Sequence, residues 1–216
     1  MELIFIVLLI LASIVGVTFI VERGLALRWH KIIPPAVEAA VETCRSPEDL
    51  PILRHACELH PSPLSRLLVL ADSHGQWPKS ENAEAVQGRA RYEIVRLERG
   101  LVFLEIIVGI APLLGLVGTV YGLIMLFGTL GPGGMSDHSN LSRGIATALY
   151  ATLLGLLAAI PSLIAWSYYN KKIETVSVEM ESLCDEFLKR YYNMKPRAEE
   201  LAKADDLPRA LKKQRV

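Results

Sequence analysis

The sequence has long stretches without any charge. No Asp, Glu, Lys or Arg occurs in residues 3–21 or 144–166, and residues 101–130 contain only Glu105. Charged residues make up 21% of the 216-residue chain, hydrophobic residues make up 51%, and the mean hydropathy is +0.33. This composition is too apolar for an ordinary soluble domain. It predicts an all-α integral membrane protein and argues against the soluble enzyme classes.

The sequence is also poor in cysteine and in net charge of either sign. The 23 basic and 23 acidic side chains cancel, so no basic field attracts nucleic acid. Three cysteines without a Cys-x-x-Cys pair form no disulfide framework and suit a reducing compartment. The spacings of Cys44, His55, Cys57 and His60 match no common zinc pattern, and P-loop, Gly-x-Ser-x-Gly and His-Glu-x-x-His motifs are missing. We expect no metal, no cofactor and no enzymatic activity.

Three segments are long and apolar enough to cross a membrane. A bilayer core of about 30 Å needs roughly 20 apolar residues in a helix that rises about 1.5 Å per residue. Residues 1–21 just meet this length, and residues 101–130 and 141–166 exceed it. A cleaved signal peptide is the alternative for the first segment, but no basic residue precedes its apolar run. The short polar loop 131–140 predicts that the second and third spans are an antiparallel pair.

The positions of Lys and Arg near the span ends predict the orientation of the spans. Basic residues follow the first span, precede the second and follow the third, whereas Arg143 alone lies near the loop 131–140. Residues 22–100 and 167–216 are therefore predicted to be cytoplasmic. The N-terminus and the loop 131–140 are predicted to face the opposite side of the membrane.

The first cytoplasmic segment, residues 22–100, is predicted to be a neutral domain of short helices separated by prolines. Ser46-Pro47 and Ser62-Pro63 each combine a capping serine with a proline at the first helical position. From about Ser80 a helix is expected to run without a break into the second span. Its many charged side chains predict that it is solvated there.

The second cytoplasmic segment begins with a predicted amphipathic helix over residues 167–195. Apolar residues recur there at spacings of three and four, and Val178 and Cys184 lie off this stripe. The stripe consists of Ile173, Val176, Met180, Leu183, Phe187 and Tyr191. It can pack on the protein's own cytoplasmic helices, or it can line a vestibule or a subunit contact. Pro196 is expected to end the helix, which leaves residues 196–216 as a polar tail.

Small residues form one face on each of the second and third spans. Such faces let membrane helices approach closely, so they predict tight packing between the two spans or between subunits. These small residues are Gly115, Gly118 and Gly122 in the second span and Ala148, Gly155 and Ala159 in the third. Pro112 and Pro161 lie nearer the cytoplasmic ends of the same spans and can bend them.

Two threonines lie on these small faces near the middle of the spans. Thr119 and Thr152 can offer hydroxyl groups to water or to another helix, which makes them candidates for lining an ion pathway. A carboxylate is the usual proton carrier inside a membrane, and neither span has one at its centre. Glu105 lies about one turn inside the cytoplasmic end and is a candidate for the group through which protons enter. A titrating acid at mid-membrane would therefore come from another polypeptide.

Two long motifs resemble those of a known family. The second span's APLLGLVGTVYGLIMLF (Ala111–Phe127) and the third span's GIATALYATLLGLLAAIP (Gly144–Pro161) are similar to the signatures of the TolQ/ExbB/MotA proton-channel proteins, and Glu22-Arg23 after the first span also fits that family. Three spans and this length resemble the ExbB/TolQ branch. The four-span MotA branch fits less well.

The resemblance implies a pentameric ring in the bacterial inner membrane, with a periplasmic N-terminus and a cytoplasmic C-terminus. The ring would surround a single-span ExbD/TolR-like partner whose membrane aspartate carries the proton, with Thr119 and Thr152 facing it. The proton motive force would move ring and partner relative to each other. A TonB-like or other envelope protein would receive the work, lipid would surround the ring, and no nucleic acid would be bound.

One position departs from the pattern of that family. Many ExbB/TolQ relatives carry a glutamate five residues before the third-span threonine, where this sequence has Thr147. A hydroxyl cannot titrate near pH 7, so Thr147 can contribute only hydrogen bonds to an ion pathway. Two alternatives stay open: a sodium-driven homologue, and a non-conducting membrane scaffold in which the small faces serve assembly alone.

Overall fold

The structure, a computed structural model, describes residues 2–128 and 138–213, and every regular element in these ranges is a helix. The α-helices are α1 (Glu2–Ala26), α2 (Trp29–Ile32), α3 (Pro35–Thr43), α4 (Leu50–Leu59), α5 (Pro63–Ser73), α6 (Lys79–Glu98), α7 (Leu101–Gly128) and α8 (His138–Lys213), with a 3₁₀ turn at Pro47–Asp49. The chain divides into a first unit, Met1–Ala26 with Glu98–Lys172, and a second unit, Leu27–Leu97 with Ile173–Val216.

The first unit has the surface of a membrane protein. Three of the described helical segments are long and apolar enough to cross a bilayer: Ile4–Ala26, Leu101–Gly128 and Ser142–Met194. Large apolar side chains point away from the unit on these helices, including Leu113 at 60% and Ile164 at 66% exposure. A bilayer solvates such side chains, whereas water does not. The predicted all-α membrane fold is confirmed.

Helix α1 packs against α7 in the opposite direction. The Phe19 and Phe103 rings stack with centroids 4.5 Å apart, and the Phe5 and Tyr121 rings lie with centroids 6.0 Å apart. The start of α1 therefore meets the end of α7, and the end of α1 meets the start of α7.

Helix α1 also packs against α8, and these two helices run in the same direction. A Cβ added to Gly16 would lie 3.0 Å from the Ser162 hydroxyl, and one added to Gly24 would lie 2.9 Å from the Tyr169 hydroxyl. The Tyr169 hydroxyl donates a hydrogen bond of 2.7 Å to the carbonyl of Ile20. Glycines on α1 thus make room for polar groups of α8 within the first unit.

The predicted unbroken helix from Ser80 into the second span is wrong. Helix α6 ends at Glu98 and α7 begins at Leu101. Gly100 lies in the gap, is buried, and a Cβ there would collide with the guanidinium of Arg23. Glycine is a poor helix former, and any side chain at this position would meet Arg23.

Pro196 does not end the last helix as predicted, because α8 continues to Lys213. A proline removes one backbone hydrogen bond, and the remaining bonds of a long helix can persist around it, as they do at Pro161.

Most of the predicted loop 131–140 lies outside the described residues, and α8 begins at His138. Residues 214–216 of the predicted polar tail also lie outside the described part of the chain.

The amphipathic stripe on α8 is the core of the second unit. Val176 and Met180 are fully buried there, as are Leu64 and Leu67 of α5, which confirms the expectation of packing on the protein's own helices. Cys184 was predicted to lie off the stripe but is only 3% exposed. The buried face of a globular helix is wider than a line of residues three and four apart. Cys184, which is next to Leu183, is therefore buried as well.

The start of α5 depends on a buried serine cap. Ser62 is 1% exposed, and its Oγ accepts a hydrogen bond of 3.1 Å from the Ser65 backbone N–H. This confirms the capping serine before Pro63. We expect Ser62→Ala to lower the free energy of unfolding by about 1–2 kcal/mol, because one helix N–H loses its partner. Chemical denaturation in detergent would measure the change, and Ser62→Thr serves as the control that keeps the acceptor. An unchanged free energy for the alanine variant would contradict the role.

All three cysteines lie in the second unit as free, buried thiols. Burial raises the pKa of the Cys57 thiol to about 11 and also raises the pKa of the Cys44 thiol. Both groups are therefore protonated at neutral pH and pack as small apolar side chains.

Candidate functional site

Helices α7 and α8 run antiparallel and touch backbone to backbone. A Cβ added to Gly115 would lie 2.8 Å from the carbonyl oxygen of Ala151, and one added to Gly155 would lie 2.6 Å from the carbonyl oxygen of Ala111. No methyl group fits at either position unless the helices move apart. This contact confirms the predicted antiparallel arrangement and brings the middle of α7 against the middle of α8.

The other small residues of the two faces lie along the same contact. Gly118 and Gly122 on α7 are buried, and so are Ala148 and Ala159 on α8. A Cβ added to Gly118 would lie 2.9 Å from the Cβ of Ala151. Within one chain, the small faces thus hold α7 against α8.

This close contact pairs the two predicted threonines. The hydroxyls of Thr119 and Thr152 are hydrogen-bonded to each other, and either can be the donor. The carbonyl oxygen of Gly115 lies 3.1 Å from the Thr119 hydroxyl and 3.2 Å from the Thr152 hydroxyl. The carbonyl of Ala148 lies 3.2 Å from the Thr119 hydroxyl. Both side chains are half-buried.

The two backbone carbonyls are members of the site that the sequence did not indicate. Every chain position has a carbonyl, so only the close helix contact singles out those of Gly115 and Ala148. In regular helices such oxygens already accept one backbone hydrogen bond and keep a second lone pair. That second lone pair is what the threonine hydroxyls use here.

Thr147 is not part of this pair. Its side chain is exposed, and its hydroxyl donates to the carbonyl of Arg143 in its own helix at 2.9 Å. It borders a small recess that is also lined by Phe5 and Ile6. Five residues turn an α-helix by about 500°, so the side chains of Thr147 and Thr152 point about 140° apart.

The remaining predicted site residues lie away from the hydroxyl pair. Helix α7 continues through Pro112, and α8 continues through Pro161. Glu105 is exposed near the start of α7. The Glu105 carboxylate therefore lies near one end of the span, about four turns of helix from Thr119.

A buried carboxylate occupies the second unit, where the sequence predicted a solvated helix. Glu93 on α6 is 1% exposed. Arg66 holds it with two hydrogen bonds of 2.9 and 2.6 Å, and Arg89 lies 3.0 Å from it. The guanidinium of Arg66 keeps the pKa of the Glu93 carboxyl below its usual range. Arg66 is 27 residues away in the sequence, so no local pattern indicated that it reaches Glu93.

No group of three or more His, Cys, Asp and Glu side chains in the described residues is placed to hold a metal ion. The site that the structure assembles is instead a pair of hydroxyls between two tightly packed membrane helices. Together, fold and site define a multi-pass, all-α membrane protein with polar groups at the contact of two spans.

The family of this membrane protein follows from comparison with known sequences. A sequence profile of the MotA/TolQ/ExbB proton channel family matches residues 62–182. The chain belongs to this family, as the two span motifs predicted, and to its ExbB/TolQ-like branch, as the three spans and the chain length predicted.

Three relatives illustrate the similarity. A putative biopolymer transport protein, ExbB-like 1, of Synechocystis is 34% identical over 167 residues, which cover 73% of this chain and 63% of that protein. The Tol-Pal system protein TolQ of Pseudomonas aeruginosa is 30% identical over 193 residues, covering 83% of this chain and 82% of TolQ. The biopolymer transport protein ExbB of Neisseria meningitidis serogroup B is 26% identical over 203 residues, covering 88% and 91%.

Proposed function

We propose that the chain is the ring-forming subunit of a proton-driven motor in the bacterial inner membrane. Five copies would surround a single-span ExbD/TolR-like protein, with the chain's C-terminus in the cytoplasm. Membership of a proton channel family supports the conducting role. Relatives named for biopolymer transport and for the Tol-Pal system support a motor that energises transport or an envelope process through a TonB-like or other protein.

The hydroxyl pair of Thr119 and Thr152 is the observation that carries this proposal. It lies in a stretch of two spans whose only charged residue is Glu105, over residues 101–130 and 144–166. A charge buried in a bilayer is costly, so the group that carries protons past this stretch must be neutral while it moves. A carboxyl group on the partner meets this requirement when it is protonated, and the hydroxyl pair offers it a hydrogen-bonding position.

The cycle that follows uses the two sides of the membrane. The partner's carboxyl takes up a proton from the periplasmic side, loses its charge and passes the apolar wall of the ring at the hydroxyl pair. It then releases the proton toward the cytoplasm. In this direction Glu105, which the sequence suggested as an entry group, would lie on the exit route. Alternation between the charged and neutral forms would drive relative movement of ring and partner.

Removing one hydroxyl tests this role. We expect Thr152→Val to reduce proton flux through the complex with its partner by about tenfold, because one lost hydrogen bond raises the barrier by about 1.4 kcal/mol. A pH-sensitive dye inside liposomes would measure the flux under an imposed membrane potential. Thr18→Val is the matched control, because Thr18 is exposed on α1 and its hydroxyl bonds only to its own helix.

Further variants separate the pathway from the scaffold. Thr147→Val shows whether the pathway extends beyond the pair. Suppose that valine at position 119, 147 or 152 leaves proton flux unchanged while Gly118→Leu destroys the assembly. The chain is then a membrane scaffold, and the proposed conduction is wrong. Native mass spectrometry of the complex, isolated through a C-terminal tag, would test the pentamer and the single-span partner.

Sodium is the alternative ion, because hydroxyl and carbonyl oxygens are also ligands for hard cations. The two ions differ in how the driven work responds to the medium. A proton-driven motor keeps working in sodium-free buffer and stops when a protonophore collapses the pH gradient and the potential. A sodium-driven motor stops in sodium-free buffer.

A further inference from the structure

A surface groove of the second unit has no role in the proposed function. It has a volume of about 360 Å³ and is formed by residues of α4, α5 and α6 and of the turn between α4 and α5. Pro61, Val69 and Leu70 give it an apolar wall, and Arg66 and Arg89 also line it. Small-molecule sites in proteins have volumes of roughly 300–1,000 Å³, so this groove has room for a small ligand.

A buried carboxylate holds both arginines at the groove. Glu93 is 1% exposed, accepts two hydrogen bonds from Arg66 and lies 3.0 Å from Arg89. Two positive charges thus meet one negative charge, which leaves one positive charge in excess. The side chains of Arg66 and Arg89 remain partly exposed, whereas that of Glu93 does not. A ligand in the groove therefore meets the positive charge and not the carboxylate.

The two guanidinium groups keep hydrogen-bond donors for such a ligand. A guanidinium has five N–H donors. Arg66 uses its Nε and Nη2 for Glu93, and its Nη1 has no hydrogen-bond partner among the described residues. Arg89 pairs with Glu93 and lies 5.0 Å from the centre of the Tyr92 ring. Planar N–H donors of this kind match the oxygens of phosphate and carboxylate groups.

The acidic side chains near the groove do not neutralise it. In the part of the chain that the structure describes, no Asp or Glu lines the groove. Asp72 on α5 accepts two hydrogen bonds from Arg54, of 2.5 and 3.1 Å. Glu58 on α4 is exposed to solvent, which screens its charge. The groove is therefore positive on one side and apolar on the other.

We propose that this groove binds a phosphate group attached to a small apolar body. The guanidinium groups of Arg66 and Arg89 take the phosphate oxygens, and the wall of Pro61, Val69 and Leu70 covers the apolar part. A phosphate offers more charge and more acceptor oxygens than a carboxylate. Because Glu93 already holds the arginines, little of their side-chain freedom is lost on binding. The phosphate belongs either to a soluble organic phosphate or to a lipid head group.

Phenyl phosphate is the test ligand, because it combines a phosphate with an apolar ring. Isothermal titration calorimetry on the full chain in a non-ionic detergent measures its affinity. Arg89→Gln removes the excess positive charge, and Arg66 still pairs with Glu93, so the melting temperature should change little. We expect this variant to bind phenyl phosphate at least about tenfold more weakly, the effect of one charge-assisted hydrogen bond. Val69→Asp adds a negative charge to the exposed wall and should weaken binding as well.

Arg91→Gln is the matched control, because Arg91 is exposed on the same helix but does not line the groove. It should leave the affinity unchanged. An equal loss in Arg89→Gln and Arg91→Gln would show general attraction to the charge of α6 and would overturn the proposal. The proposal also fails if phenyl phosphate does not bind the unaltered chain.

Nanodiscs of two compositions distinguish the sources of the phosphate. If phosphatidylglycerol weakens phenyl phosphate binding relative to phosphatidylcholine, and Arg89→Gln removes this difference, an anionic lipid head group occupies the groove. Equal affinity in both lipids supports a soluble organic phosphate. The site lies outside the proposed ion pathway, so Arg89→Gln should leave proton flux unchanged, and a failure of the conducting role would leave this proposal standing.

Discussion

Gly155→Ala is expected to separate α7 from α8 and to lower the free energy of unfolding by about 1–3 kcal/mol. The new methyl group would lie 2.6 Å from the carbonyl oxygen of Ala111, which is main chain and cannot turn aside. Overpacking of this kind typically costs 1–3 kcal/mol. Alanine is the better helix former by about 1 kcal/mol. The measured loss is therefore the cost of the collision minus this gain in helix propensity.

A second glycine on the contacting helix provides the control. A Cβ added to Gly109 on α7 meets nothing within 4 Å, so Gly109→Ala should gain the helix propensity without the collision. Thermal unfolding in detergent compares the two variants, and proton flux in liposomes shows whether the hydroxyl pair is also disrupted. Equal stability of the two alanine variants would show that the helices do not meet at Gly155.

Arg66→Met is expected to lower the free energy of unfolding of the second unit by about 3 kcal/mol. The change leaves Glu93 buried with Arg89 as its remaining partner, and breaking a buried ion pair by removing one partner costs about 3–5 kcal/mol. The Arg66 side chain is 36% exposed, which places the expectation at the lower end of that range. Urea unfolding of the full chain in detergent would measure it.

Two comparisons show whether the loss comes from the stranded carboxylate. Arg54→Met breaks the ion pair with Asp72, but the Arg54 side chain is 58% exposed, so the loss there should stay below about 1 kcal/mol. Adding Glu93→Leu to Arg66→Met removes the buried charge and should restore much of the stability, as apolar replacements of buried pairs often do. A double variant as unstable as the single one would mean that Arg66 acts through packing alone.

The same carboxylate makes stability depend on pH in the acid range. Arg66 lowers the folded-state pKa of Glu93 below the ordinary value of 4.5. A group with a lowered folded pKa stabilises the fold fully above its unfolded pKa, and that stabilisation is lost as the pH falls through the folded pKa. Stability should therefore fall as the pH drops below about 4.5, and Arg66→Met/Glu93→Leu should flatten this part of the curve.

The sequence was most informative where one residue type decides the structure. Long runs without charge predict the three spans, because a charged side chain in a bilayer has nowhere to be solvated. The small faces around Gly115 and Gly155 lie where α7 and α8 touch. The sequence was less informative about which side chains of one helix point the same way. Thr147 was a candidate for the ion pathway beside Thr152, but a spacing of five residues places its side chain on another side of α8.

Contacts between distant segments were not visible in the sequence. Glu93 reads as one charge among many on a solvated helix, because its partner Arg66 is 27 residues away. The break at Gly100 depends on Arg23, which comes from α1. The hydroxyl pair also includes two backbone carbonyls, those of Gly115 and Ala148, and every residue carries one. Such features require the positions of two helices, whereas periodicity describes only one.

The buried cysteines bear on how this protein can be labelled. Cys44, Cys57 and Cys184 are enclosed, and burial raises the pKa of the Cys57 thiol to about 11, so the natural chain offers little thiolate to alkylating dyes. A cysteine introduced at an exposed site such as Val95 would carry a fluorophore or spin label selectively, with the native three left in place. The label can then be followed by spectroscopy on an otherwise unaltered chain.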